Sequence, residues 1–289
     1  MMLGDLSRAA YESTFRGVRE ALRTGDPLSV AAGSLRHLDG SMDGFHRLSG
    51  ASVDCRAGCS FCCWLRIDVR AHEVFLIARS MGSEEVTGQR ESMESAVRES
   101  AARVRGVSYA ERQSIRQPCG LLDHAGCCRV YALRPSACRR YLSRSVDACE
   151  SIWVGAEPAE EPEHPTIAEL GRHTANGAHN AFIAEGYDGY SYDLMAALAE
   201  ALADPECEGR WRLKQPAFSV AARSTVPGGF SQDEALARLR AELAVEGLKG
   251  LKGTEGTEGT EGTEGTKGTK GTKGREGEGS VGLGLGGGC

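Results

Sequence analysis

Cysteine is the residue type whose spacing in this chain most clearly predicts chemistry. Nine of the eleven cysteines lie between positions 55 and 149. They are Cys55, Cys59, Cys62, Cys63, Cys119, Cys127, Cys128, Cys138 and Cys149. Thiolates at short spacing are the usual ligands of tetrahedral zinc and of iron–sulfur clusters. Because buried cysteines that bind nothing scatter through a core, we interpret this crowding as a metal centre.

The candidate ligands fall into two groups along the chain. The first is the nine-residue stretch Cys55-Arg-Ala-Gly-Cys59-Ser-Phe-Cys62-Cys63, and the second consists of Cys119, Cys127 and Cys138. Nearby glycines let the backbone turn so that the sulfur atoms converge. Adjacent cysteines such as Cys62 and Cys63 can bridge each other only with strain, which favours metal binding over a disulfide.

Part of the first group also matches a different signature. The spacing Cys55-x₃-Cys59-x-Phe61-Cys62 fits the C-x₃-C-x-aromatic-C motif of radical S-adenosylmethionine enzymes, which hold a 4Fe–4S cluster with three cysteines. Those enzymes place the motif on a barrel of alternating strands and helices. No well-formed strand is predicted before Cys55, and the motif has no role for Cys63. A radical enzyme is therefore kept as an alternative only.

A longer pattern resembles a known family. After the first group come Pro118-Cys119-Gly-Leu-Leu-Asp and Cys127-x-x-Val-Tyr131-x-x-Arg134-Pro135-x-x-Cys138-Arg139. Together these motifs resemble the CxxCxxCC (YkgJ-like) cysteine-cluster family of zinc- or iron-chelating domains, over roughly residues 50–150. The resemblance implies that the ligands are Cys55, Cys59, Cys62, Cys63, Cys119, Cys127 and Cys138. Cys149 resembles a further cysteine found in some members, and the role of Cys128 stays open.

The favoured hypothesis is therefore a metal-binding protein that chelates zinc or iron, with an iron–sulfur cluster as one form of the iron. One branch of the family resembles flagellin lysine N-methylases, which use S-adenosylmethionine. The sequence has no glycine-rich loop between a strand and a helix that would hold this cofactor. Methyl transfer is accordingly a second alternative, and whether the protein is an enzyme is left open.

The elements that position these cysteines are predicted to be mainly helical, with one or two short β strands. Apolar residues at helical spacing predict helices over 5–23, 28–38, 71–81, 83–104, 166–185, 191–203 and 231–246. Alternating or β-prone stretches predict short strands over 65–69 and 127–131. His72 and Glu73, at the start of one helix, are interpreted as a cap or a surface pair, with ligation of zinc or iron by His72 as the alternative.

Composition divides the chain into four predicted parts. They are an N-terminal helical segment (1–49), a cysteine-cluster metal-binding domain (50–155), a helical extension packed on it (156–248) and a Gly/Thr/Glu/Lys repeat tail (249–289). The tail has almost nothing to bury, so we expect it to be disordered. The metal is expected to hold the small cysteine domain together.

Charge and hydropathy exclude several kinds of partner. The formal net charge is −6, and no stretch approaches the roughly 18 apolar residues of a membrane helix. We therefore expect a metal ion as partner, with no nucleic acid and no membrane, while protein partners are left open. The first residues do not resemble a secretory signal, which predicts a cytoplasmic location.

Overall fold

The computed structural model describes residues 3–56, 58–82, 90–107, 111–112, 115–160, 162–224 and 231–252. Within them lie α1 (Leu3–Leu22), α2 (Pro27–Ser49), α3 (Ala71–Met81), α4 (Arg90–Val104), α5 (Ser136–Arg140), α6 (Val146–Val154), α7 (Pro165–Ala184), α8 (Leu194–Ala203), α9 (Cys207–Arg212) and α10 (Gln232–Lys252). Strands β1 (Asp68–Val69) and β2 (Tyr192–Asp193) form the sheet. The prediction of a mainly helical fold with very short strands is confirmed.

Among the described residues, helices α1 and α7 form the most extensive helix–helix contact. Phe15 and Val18 of α1 are buried on this face. Gly177 of α7 lies against the carbonyl of Tyr11, and a Cβ atom there would be 2.5 Å from that oxygen. The absence of a side chain at Gly177 therefore permits the close approach of the two helices.

The main core lies between α3, α7, α8 and α9. Trp211 is fully buried, and the rings of Phe75, Phe182 and Tyr187 pack around it with centroids 5.0–6.2 Å away. Aromatic rings bury large apolar areas at such contacts. This aromatic core holds α3 and α7 in fixed positions, and both helices contribute residues to the sites described below.

Helix α2 is longer than the sequence predicts. The expected end near residue 38, with a loop over 40–54, is wrong, because the helix continues to Ser49 and ends at Gly50 with φ of 66°. Leu38 and Met42 are both 2% exposed, packed beside Ile167 of α7. Burial of this apolar face outweighs the cost of about 1 kcal/mol for each glycine inside the helix.

The sheet also differs from the prediction. Asp68 pairs with Asp193 and Val69 with Tyr192 in antiparallel register. The stretch predicted as a strand over 127–131 forms only an isolated antiparallel bridge, between Cys128 and Leu122, before a turn and a short 3₁₀ helix (Tyr131–Leu133). The true partner strand comes from the start of the segment predicted as helix 191–203. A two-residue strand is too short to show alternation in sequence.

Some predicted elements lie partly or wholly outside the described residues. The first residues of the helix predicted over 83–104 and the tail beyond residue 252 lie outside the described residues. The short helices α5, α6 and α9 were not predicted, since five to nine residues carry little periodic signal. No described helix combines the length and apolar character that crossing a membrane requires.

Asp26 provides a test of the helix α2 start. Its carboxylate accepts a hydrogen bond from Ser29 N at 2.9 Å and pairs with Arg212 at 2.8 Å. Asp26→Ala is expected to lower the free energy of unfolding by about 1 kcal/mol, because the first turn loses its cap. Asp26→Asn keeps the cap and serves as the matched control. Equal stability of both variants in urea unfolding would contradict the capping role.

Candidate metal centre

The first group of cysteines lies on a tight turn and a 3₁₀ helix. Cys59 N donates to the carbonyl of Arg56 at 3.0 Å, and a 3₁₀ helix over Phe61–Trp64 follows at once. Gly58 adopts φ of 78°, a left-handed conformation that glycine accepts without strain. These turns bring Cys55, Cys59, Cys62 and Cys63 onto one short piece of backbone.

The second group is joined directly to the first. Cys119 N donates to the carbonyl of Cys63 at 2.9 Å, which ties the two groups together. A compact turn follows, in which Asp123 Oδ1 accepts from the backbone N–H groups of Ala125 and Cys127 at 2.8 Å each. Cys138 lies on α5 and Cys149 on α6. The fold therefore gathers residues that are separated by up to 94 positions in sequence.

Backbone N–H groups point at four of the sulfur atoms. Ser143 N donates to Cys55 Sγ at 3.2 Å. The other three acceptors share one local geometry, since each receives its hydrogen bond from the residue two positions later. These pairs are Cys59 with Phe61, Cys119 with Leu121 and Cys128 with Val130. Donation to sulfur favours the thiolate, which is the form that binds metal.

Burial acts in the opposite direction on the same thiols. It is the main factor that raises the pKa of Cys55, Cys59, Cys128 and Cys138, and it raises the pKa of Cys119 to about 12. The pKa of Cys62 is raised by a hydrogen bond with Cys63 and by burial. Without a cation these groups are neutral thiols at neutral pH. A metal ion supplies the positive charge that several buried thiolates require.

Electrostatic interactions show which thiols are neighbours. Cys55 interacts with Cys59 and Cys149, whereas Cys138 interacts with Cys119 and Cys128. Cys62 interacts with thiols from both of these neighbourhoods. They are Cys55, Cys59, Cys119, Cys128 and Cys138. We refer to Cys55, Cys59, Cys62, Cys63, Cys119, Cys128, Cys138 and Cys149 as the cysteine cluster. Cys62 lies at its centre.

The structure distinguishes the two members of the Cys127-Cys128 pair. Cys128 is a free thiol and interacts with Cys62 and with Arg134. Cys127 lies on the turn around Asp123, where its backbone N–H donates to Asp123 Oδ1 at 2.8 Å. The sequence pattern leaves Cys128 open, because two adjacent cysteines on irregular backbone look alike until the directions of their side chains are known.

Arginine and aromatic side chains surround the cysteine cluster. Arg134 lowers the pKa of Cys62, Cys128 and Cys138 in opposition to burial, so its positive charge favours their thiolates. Trp153 of α6 packs against Phe61 and Trp64, with ring centroids 6.0 Å and 5.9 Å away. Phe61 and Trp64 flank Cys62 and Cys63 on the same 3₁₀ helix, so these ring contacts hold α6 against the first group.

His72 and Glu73 do not lie on the surface. Glu73 is 1% exposed and His72 is 2% exposed. Glu73 caps α3 by accepting from Arg70 N at 2.9 Å, and its other oxygen accepts from Ser136 N at 2.7 Å. The interpretation of this pair as a cap therefore fits Glu73, while the interpretation as a surface pair is wrong.

Comparison with known proteins identifies the cysteine region. Residues 54–156 match the family model named CxxCxxCC, which is described as a "Putative zinc- or iron-chelating domain". This match confirms the resemblance predicted from the cysteine pattern, and it covers about a third of the chain. No curated protein matches the chain, and no solved structure does. Nothing in these findings supports the radical-enzyme or methyltransferase alternatives.

Proposed function

We propose that the CxxCxxCC domain binds zinc or iron through its cysteine sulfurs, and that the bound metal supports the fold of this domain. The observation that carries the proposal is the gathering of eight free thiols, Cys62 among them, most of which have a pKa raised by burial. Without a cation, burying this set of thiols contributes little to the stability of the fold. With a divalent metal the same burial strengthens the binding of each thiolate.

The sulfur neighbourhoods suggest how the ligands are shared. Three thiols, Cys55, Cys59 and Cys149, form one set, and Cys119, Cys128 and Cys138 form the other. Tetrahedral metal sites take four ligands. We infer that the adjacent residues Cys62 and Cys63 complete both sets, so that the domain has the ligands for two metal ions.

The family pattern implies Cys127 as a ligand, whereas the interaction of Cys128 with Cys62 supports Cys128. We therefore propose Cys128, and not Cys127, as the ligand from this adjacent pair. A structural role is favoured over a catalytic one, since no acid–base group with an evident substrate stands beside the cysteine cluster in the described residues.

Metal content under strict anaerobiosis tests the proposal. The full chain is purified without added metal, analysed for its elements and examined by optical spectroscopy. A colourless protein with stoichiometric zinc supports a structural zinc site, and a brown protein with the visible absorption of iron–sulfur supports a cluster. A protein that contains neither zinc nor iron would overturn the proposal.

The adjacent pair Cys127 and Cys128 offers a matched test of the ligand set. Cys128→Ser is expected to lose at least one metal equivalent per chain, because its sulfur faces Cys62. Cys127→Ser is expected to keep most of the metal. Elemental analysis of both variants, purified under reducing conditions, gives the comparison. If Cys127→Ser loses the metal and Cys128→Ser keeps it, the assignment is reversed.

A further inference from the structure

Three side chains outside the cysteine cluster bring metal-binding atoms together. They are His72 and Glu73, in the first turn of α3, and His179 of α7. One ligand atom from each lies within 4.8 Å of the others. His72 Nε2 and His179 Nδ1 are 3.3 Å apart, although the two residues are separated by 107 positions in sequence. None of the three belongs to the set of ligands predicted from the cysteine pattern.

The distance between the two nitrogens fits a shared metal ion. Nitrogen ligands lie about 2.0–2.1 Å from zinc, so two of them in a tetrahedral site are about 3.3–3.4 Å apart. A direct hydrogen bond between His72 and His179 at 3.3 Å would be longer than usual. The ring centroids are 5.3 Å apart, with the nitrogens on the facing edges.

Both imidazoles are in the form that binds metal. Burial is the main cause that lowers the pKa of His72 and of His179 to about 3. At neutral pH each ring is therefore uncharged, and one nitrogen of each has a free lone pair. The Glu73 carboxylate adds a negative charge and, beyond its two bonds to backbone N–H groups, further lone pairs.

Neighbouring residues hold the three ligands in place. The other nitrogen of His179, Nε2, is 3.0 Å from Ser136 Oγ. A hydrogen bond of this kind orients most metal-bound histidines and fixes their tautomer. The ring of His72 stacks on Phe182 with centroids 4.2 Å apart. Its Nδ1 atom is buried and has no hydrogen-bond partner among the described residues.

Positive charges nearby limit how tightly a cation can bind. Arg70 and Arg140 both oppose protonation of His179, and they would oppose a metal ion in the same way. Arg70 is largely balanced, however, since its guanidinium donates to the carbonyl of Gly189 and interacts with Asp188 and Asp68. We therefore expect a weaker site than the cysteine cluster.

We propose that His72, Glu73 and His179 form a second metal site, separate from the cysteine cluster, for a divalent transition-metal ion such as zinc or iron(II). Two imidazole nitrogens and one carboxylate oxygen suit these ions. The site is independent of the thiols, but Ser136 connects the two regions. Its backbone and side chain contact Glu73 and His179, and Cys138 follows two residues later on the same helix.

Equilibrium dialysis of the full chain against Co²⁺ tests this proposal. The protein keeps the metal with which it was purified, reducing anaerobic conditions are used, and elemental analysis counts all bound metal. His179→Gln is expected to bind one equivalent less than the wild type. The matched control is His173→Gln on the same helix, whose ring lies 3.9 Å from Glu169 and outside the site. It should bind as much metal as the wild type.

The optical spectrum separates this site from the cysteine cluster. Cobalt bound by histidine and carboxylate gives visible bands without the near-ultraviolet absorption of cobalt thiolates, and these visible bands should be missing in His179→Gln. If His179→Gln does not fold, Ser136→Ala is expected to weaken binding of the same equivalent by about 10–100-fold. Equal metal content in the wild type and every folded variant would overturn the second site. Loss of thiolate-bound metal alone would show that the substitution acts on the cysteine cluster instead, and would also overturn it.

Discussion

Replacing Cys62 by serine is expected to remove most of the metal from the cysteine cluster and to destabilise the domain. Cys62 interacts with Cys55 and Cys59 on one side and with Cys119, Cys128 and Cys138 on the other. Its loss therefore affects both proposed sets of ligands. Losing a peripheral thiol such as Cys149 should affect one set only.

The size of the Cys62→Ser effect follows from the link between metal binding and folding. Structural zinc contributes on the order of 10 kcal/mol in isolated zinc-finger peptides, where the metal is nearly the whole source of stability. Here the helical core provides part of the stability. We therefore expect Cys62→Ser to lower the free energy of unfolding by less than this, by roughly 3–5 kcal/mol. Urea unfolding and elemental analysis on the same sample measure both effects.

Cys207 provides the control for Cys62→Ser. It is a free cysteine, 2% exposed, and its burial raises the pKa of the thiol to about 11. It lies on α9, outside the cysteine cluster. Cys207→Ser should lose some packing energy but no metal. If Cys62→Ser retains the full metal content of the wild type, Cys62 is not a ligand and the proposed centre is wrong.

The Glu73→Ala variant is expected to lose about 3–5 kcal/mol of unfolding free energy, the usual cost of removing one partner from a buried charge network. The carboxylate is 1% exposed and accepts from the N–H groups of Arg70 and Ser136. It also balances part of the positive charge of Arg70 and Arg139. Alanine leaves two buried donors without partners and these charges less compensated.

Two further substitutions show whether charge or packing explains the Glu73 effect. Glu73→Gln keeps the shape and one acceptor oxygen, so its loss should be clearly smaller than that of alanine. Arg79→Ala, on the same helix, removes an exposed ion pair with Glu208 and should cost less than about 1 kcal/mol. Urea unfolding of the metal-loaded protein provides the comparison. A Glu73→Ala variant as stable as Arg79→Ala would disprove the role of the buried carboxylate.

Local patterns in the sequence predicted the elements whose stability is local. Helix α3 has the predicted bounds, because Val74, Phe75 and Ile77 recur at helical spacing within one short segment. The cysteine region could be recognised for the same reason, since its motifs are dense. Helix α2 was predicted too short because its second half depends on burial against α7, which the segment itself does not reveal.

The features that sequence did not predict depend on distant contacts or on side-chain direction. His179 meets His72 only after α7 has packed on α3, and nothing in either segment signals the other. For Cys127 and Cys128, the turn around Asp123 decides which sulfur faces Cys62. That choice depends on backbone geometry rather than residue type.

The pairing of β1 with β2 also affects how quickly the chain folds. The neighbouring contact from the Arg70 guanidinium to the Gly189 carbonyl joins residues 119 positions apart. Closing so long a loop costs entropy, and folds dominated by such distant contacts form slowly. Half of the cysteine cluster lies inside this loop, namely Cys119, Cys128, Cys138 and Cys149. A metal that joins Cys119 to Cys128 and Cys138 shortens the chain that is still to be closed, and is therefore expected to raise the folding rate as well as stability.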